Sequence, residues 1–127
     1  MNLVSFFAVG LGAFAGAVLR WLLSLALNPV LPQLPLGTLA ANLIGALAMG
    51  LAIGAFAHYE TIPLAARLAI TTGFLGGLTT FSAFSGETVG LILRGQYAWT
   101  ALIVLAHVVG SLVLTLAGVG LVRLAMR

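Results

Sequence analysis

The sequence predicts an all-α integral membrane protein of four transmembrane helices with the third helix broken, and three observations lead there. Apolar residues make up 62% of the chain and charged residues 6%, at a mean hydropathy of +1.24; a soluble domain carries about 25% charged residues. No charged residue stands between Arg20 and Glu60, or between Arg94 and Arg123, and a helix needs about 20 apolar residues to cross a bilayer. The third observation is an interruption. "GGLTTFSAFSGE", at 76–87, sets paired glycines, four hydroxyls and a carboxylate into otherwise apolar chain.

Span one is expected over 3–27. It carries Gly12 and Gly16, a small-xxx-small pair that lets helices approach closely. It follows no basic leader and is closed by Arg20, which reads as a first span instead of a cleaved signal peptide. Three prolines in "NPVLPQLPLG", at 28–37, make an irregular link. Span two is expected over 38–58, with Ala46, Gly50 and Gly54 spaced four apart as a thin stripe for a neighbouring backbone. "HYETIP" is the next connection. Span three is expected over 65–93, but Gly73, Gly76 and Gly77 followed by adjacent β-branched threonines are weak helix formers. "RGQY" leads to span four, expected over 98–121. The whole chain, 1–127, reads as a single transmembrane domain.

Four spans put both termini on one side of the membrane. Arg67, Arg123 and Arg127 then lie on the terminal side, and Arg20 and Arg94 toward the other. Lysine and arginine bias normally sets orientation, and here it is almost balanced. Insertion in both directions follows as a hypothesis, and with it an antiparallel homodimer.

Several classes fall away. There is no cysteine, hence no disulfide and no thiol chemistry. The net charge of +3 rests on five arginines scattered along the chain, which is no nucleic-acid footprint. No catalytic set of nucleophile, base and acid can be assembled, so an enzyme is not expected.

The polar positions inside the spans carry the functional reading. Irregular backbone at membrane depth is tolerated only where it is buried in protein or lines a wet cavity. A break near Gly76 to Thr80 frees carbonyls that need a side chain, water or a cation; the bland alternative is a glycine kink that serves packing. Beyond it, Phe81 and Phe84 share a helical face, with Ser82 and Ser85 beside them. Aromatic edges are positive, so ring edges and hydroxyl donors together suit a passing anion; ordinary apolar packing is the competing account. Asn42 is either a helix clamp or an anion donor. His107, Ser111 and Thr115 repeat every four residues down one face of span four. Arg20 and Glu87 intrude into the spans, and intramembrane charges are functional candidates by default. Arg20 either recruits an anion at a pore mouth or snorkels to the headgroups.

Four segments, "GAFAGAVLRW", "PLGTLAANLIG", "TTGFLGGLTTFSAFSGE" and "HVVGSLVLT", taken in that order, resemble the CrcB/Fluc family of small dual-topology fluoride channels. The third is the most specific, and together they touch all four spans. The resemblance implies an antiparallel homodimer in the cell inner membrane with two pores, passing fluoride passively out of the cytoplasm. It further implies a structural sodium ion at the dimer interface, held by the backbone carbonyls of Gly76 and Thr79. Phe81 and Phe84 would line the pores, with Asn42, Ser82, Ser85, Thr115 and Thr80 in a polar anion track. Arg20 and Glu87 would stand near the vestibule. Ala83 departs from the threonine of some relatives. A four-helix drug/proton antiporter is the competing transporter class, but it wants a carboxylate in the first span, and none occurs before Glu60. A noncatalytic membrane scaffold would explain the glycine stripes and leave the Phe–Ser register without a task.

Overall fold

The computed structural model describes residues 2–127. In chain order its elements are α1 (Leu3–Leu27), a 3-10 turn (Asn28–Val30), α2 (Leu36–His58), α3 (Leu64–Leu68), a π-helical stretch (Ala69–Leu75), α4 (Gly76–Leu78), α5 (Phe81–Leu93) and α6 (Tyr97–Ala125). They make four segments long and apolar enough to cross a membrane: Leu3–Val30, Leu36–His58, Leu64–Leu93 and Tyr97–Ala125. The described residues are all-α, and the last helix runs one turn further than its sequence expectation.

The ends of these helices are held by named groups. Asn2 Oδ1 accepts from the Val4 amide at 3.0 Å and starts α1. α2 begins after Pro35, which offers no side-chain cap. Its orphan amides are capped from a distance: Asn28 Oδ1 accepts from Gly37 N at 2.8 Å and Thr38 N at 3.2 Å. The proline-rich link is thereby tied to the helix that it precedes. Arg67 does the same for "HYETIP". Its guanidinium donates to the carbonyls of Ile62, Tyr59 and Glu60, each at 3.1 Å, while stacking 5.3 Å from the centre of the Phe56 ring. The α5–α6 turn is made at Gly95, whose φ of 71° suits glycine.

Packing is pairwise. α2 lies along α6, α1 lies along the third segment as far as Leu78, and α5 packs mainly on α6. Helices in lipid gain little from hydrophobic burial and associate through close van der Waals packing. Gly16 and Gly50 show how close. A methyl at Gly16 would fall on the Phe74 carbonyl of the third segment and within 2.7 Å of the Leu78 amide. One at Gly50 would fall on the Thr115 carbonyl of α6 and within 3.0 Å of Gly118 Cα. The glycine pair of span one and Gly50 of the span-two stripe make backbone-to-backbone seams, as their spacing predicts, while Gly54 packs on the Val122 side chain. Buried apolar side chains gather in two small clusters, Leu34, Phe84, Leu91 and Ile103 in one, and Ala41, Leu75 and Leu78 in the other.

The break in the third span is short and comes after the paired glycines. Gly76–Leu78 is still helical; Thr79 (φ −83°, ψ 153°) and Thr80 (φ −149°, ψ 116°) are extended. Gly77 is a packing surface, since a methyl there would strike the Ala13 backbone of α1, whereas Gly76 is exposed and has room for one. The break falls where side chains replace the helical ladder. The π-helical stretch before it was not predicted, and such stretches often occur at functional sites.

Candidate functional site

The site is assembled around Thr80. In a continuous helix the Thr80 amide would bond to the Gly76 carbonyl and the Ala83 amide to that of Thr79. Both amides are taken by side chains. Thr80 N–H donates to Asn42 Oδ1 at 2.7 Å, and Ala83 N–H donates to Thr80 Oγ1 at 3.1 Å, an N-cap for α5. Asn42 completes the pairing by donating Nδ2–H to the Thr80 carbonyl at 3.0 Å. Its amide therefore meets Thr80 as a neighbouring strand would. Its second Nδ2 hydrogen faces His107 Nδ1 at 3.0 Å, so every hydrogen-bonding atom of Asn42 is engaged within the chain. The carbonyls of Gly76 and Thr79 lose the amides that a helix would have given them.

Three further contacts fix the surroundings. Arg20 Nε donates to the Gly77 carbonyl at 3.0 Å, tying α1 to the end of α4. Thr38, almost fully buried, donates its hydroxyl to Glu87 Oε1 at 2.6 Å. Thr38 and Asn42 stand one turn apart on α2, so a polar seam joins that helix to the third segment at two levels. Thr115 Oγ1 donates to the Ala46 carbonyl at 3.0 Å across the α2–α6 seam, and Thr79 Oγ1 donates back to Leu75 O at 2.9 Å.

Beside the break lies an open groove of about 490 Å³. Of the residues singled out in the sequence, it gathers Asn42, Gly76, Thr79, Thr80, Phe81, Phe84 and Thr115 along one wall, together with His107 and Ser111. The four-residue repeat of span four thus lies on a single groove face. Phe81 and Phe84 meet edge to face with ring centres 5.6 Å apart. They differ sharply in setting: Phe84 is 8% exposed and stacks on His107 at 4.5 Å, while Phe81 is 78% exposed. Ser82 and Ser85 fall outside the groove lining, exposed on the outer side of α5, with Ser82 Oγ 3.3 Å from Thr80 Oγ1. Arg20 and Glu87 also stand outside it. The groove brings in Gly45, Met49 and Thr71, which sequence reasoning passed over; no pattern marks them, because they are ordinary membrane-helix residues until the break faces them.

Set beside known proteins, residues 7–119 match the model of the "CrcB-like protein, Camphor Resistance (CrcB)" family. The chain belongs to this family. It is similar to the protein of Nitrosospira multiformis described as fluoride-specific ion channel FluC, 56% identical over 97% of this chain and 96% of that one. Proteins of the same description from Ralstonia pickettii and Cupriavidus taiwanensis are 52% and 49% identical, each match covering at least 97% of both chains. Membership makes this CrcB-family chain a membrane protein and not an enzyme. Its relatives are bacterial, and proteins of the bacterial outer membrane are closed β-barrels; a bundle of four apolar helices is a multi-pass protein of the inner membrane.

Proposed function

We propose that this CrcB-family chain is a fluoride-selective channel, working as an antiparallel homodimer with two pores and letting fluoride leave the cytoplasm passively. The observation that carries the reading is the α5 face at membrane depth. Phe81, Ser82 and Ser85 stand outside the packing of their own chain, and hydroxyls at that depth call for protein or water as a neighbour, not hydrocarbon. A second copy laid across this face would close the groove into a narrow path. The near balance of arginines, three toward one side and two toward the other, supports a copy inserted the opposite way. The description shared by relatives about half identical supports fluoride as the ion.

The chemistry fits a small anion with a tightly held hydration shell, which needs closely spaced donors to replace that shell. Ring edges of Phe81 and Phe84 offer positive partial charge. Ser82 and Ser85 offer hydroxyl donors, with Thr80, Thr115 and Asn42 as the remaining polar members of the track. The hydroxyl protons of Thr79 and Thr115 are committed to carbonyls, which leaves the serines as the readiest donors. Arg20 would draw anions toward the mouth, near Glu87. The freed carbonyls of Gly76 and Thr79 have the right character for a hard cation: neutral oxygens, deprived of the amide donors a helix would give them. Sodium held there by both copies would have a structural task at the dimer interface.

The test is anion efflux from liposomes holding the purified protein, fluoride against chloride, under a clamped voltage. Rapid fluoride release with little chloride release is expected. A verified dimer that releases no fluoride would return the residues 76–87 to helix packing.

A further inference from the structure

His107 is buried in α6, and neither the groove wall nor its stacking on Phe84 accounts for its hydrogen bonding. The Asn42 amide is oriented by Thr80, whose N–H must meet Oδ1 and whose carbonyl must meet Nδ2. Nδ2 is a donor only. The 3.0 Å contact from Asn42 Nδ2 to His107 Nδ1 therefore needs Nδ1 as an acceptor, which fixes a neutral ring with its proton on Nε2. Nε2 is buried and has no hydrogen-bond partner among the described residues. One ring nitrogen is left without a hydrogen bond while the other completes the Asn42 amide.

We propose that His107, in this tautomer, is a positioning residue for the break in the third span. It accepts the last hydrogen of Asn42 and so holds the amide that keeps the Thr80 N–H away from the Gly76 carbonyl. The open state of two backbone carbonyls in the third span is then governed by an imidazole on the fourth. A side chain without an acceptor at Nδ1 leaves an amide hydrogen of Asn42 unpaired, and the amide becomes free to leave Thr80.

Two substitutions separate positioning from packing. His107→Phe keeps a ring to stack on Phe84 and removes the acceptor; His107→Asn loses the ring but can offer an amide oxygen near the place of Nδ1. With dimers confirmed by size-exclusion chromatography, fluoride efflux should fall about tenfold or more in His107→Phe, the effect of one unpaired buried donor, and stay within about threefold of the unaltered protein in His107→Asn. A packing role gives the reverse order, and either normal efflux in His107→Phe or equal loss in both variants overturns the proposal. Nitrogen NMR of the unaltered protein, labelled at histidine, is a second readout that needs no flux. The proton should reside on Nε2 of His107, and a proton on Nδ1 overturns the proposal. The flux arm rests on the channel reading. Should the unaltered protein carry no fluoride, that reading fails while the NMR result still decides the role of His107.

Discussion

Replacing Asn42 with alanine should let the third span heal. Three hydrogen bonds disappear: Thr80 N–H to Oδ1 at 2.7 Å, Nδ2 to Thr80 O at 3.0 Å, and Nδ2 to His107 at 3.0 Å. At about 0.5–1.5 kcal/mol net for each, the gross loss is about 1.5–4.5 kcal/mol. The Thr80 amide then regains its helical acceptor, the Gly76 carbonyl, which returns about 1 kcal/mol. The Thr80 Oγ1 cap on Ala83, worth about 1 kcal/mol, opposes that rearrangement. The regained bond and the lost cap offset each other, so a net destabilisation of about 1.5–4.5 kcal/mol is expected, together with a change of backbone state at Thr79 and Thr80. The assay pairs thermal melting in detergent with carbon NMR shifts at these two residues, which report extended backbone in the unaltered protein and helical backbone in Asn42→Ala. Fluoride efflux should fall with the change. Extended shifts and full efflux retained in Asn42→Ala would refute the argument that this amide makes the break.

Phe81→Ile and Phe84→Ile should each impair fluoride efflux while dimers still form; normal efflux in both would remove the rings from the pathway. Phe84→Ile should also lower the melting temperature more than Phe81→Ile, since the buried ring alone stacks on His107. Gly50→Ala should cost about 1–3 kcal/mol by forcing α2 from α6, whereas Gly120→Ala, with nothing within 4 Å of the added methyl, should be neutral or slightly stabilising; equal melting temperatures would contradict the seam. Replacing sodium with a bulky organic cation in the buffer should lower the melting temperature and efflux together if the Gly76 and Thr79 carbonyls hold sodium, and no change in either would speak against that site.

The parts of the fold legible in the sequence were those written in local pattern. Apolar run length marked four spans, glycine spacing marked the seams through Gly16 and Gly50, and the four-residue repeat of His107, Ser111 and Thr115 marked a common face. Parts settled by partners distant in sequence were not legible. Asn42 could be seen to need partners, but not that they would be the backbone of Thr80 and the ring of His107. Arg20 suggested an anion or the headgroups; its Nε found the Gly77 carbonyl. Glycine content pointed to a break starting at Gly76, yet both glycines stay helical, with Gly77 packed on α1, and the interruption waits for Thr79. The π-helical stretch Ala69–Leu75 has no local signature, because its ladder is shaped by the backbone of α1 lying against it.

The two extended residues at Thr79 and Thr80 also divide one span into parts that evolution can treat differently. Before them, the segment is read by α1 at the level of backbone atoms, so almost any added side chain on the contact face is a collision. After them, α5 leaves that neighbour and meets α6 through side chains, where a change of size can be answered by a change opposite. A chain drifting under selection should therefore hold the first half nearly frozen on its α1-facing side while the second half adjusts around its rings and hydroxyls. Without the interruption, any retuning of the face beyond it would turn the same rigid rod against α1.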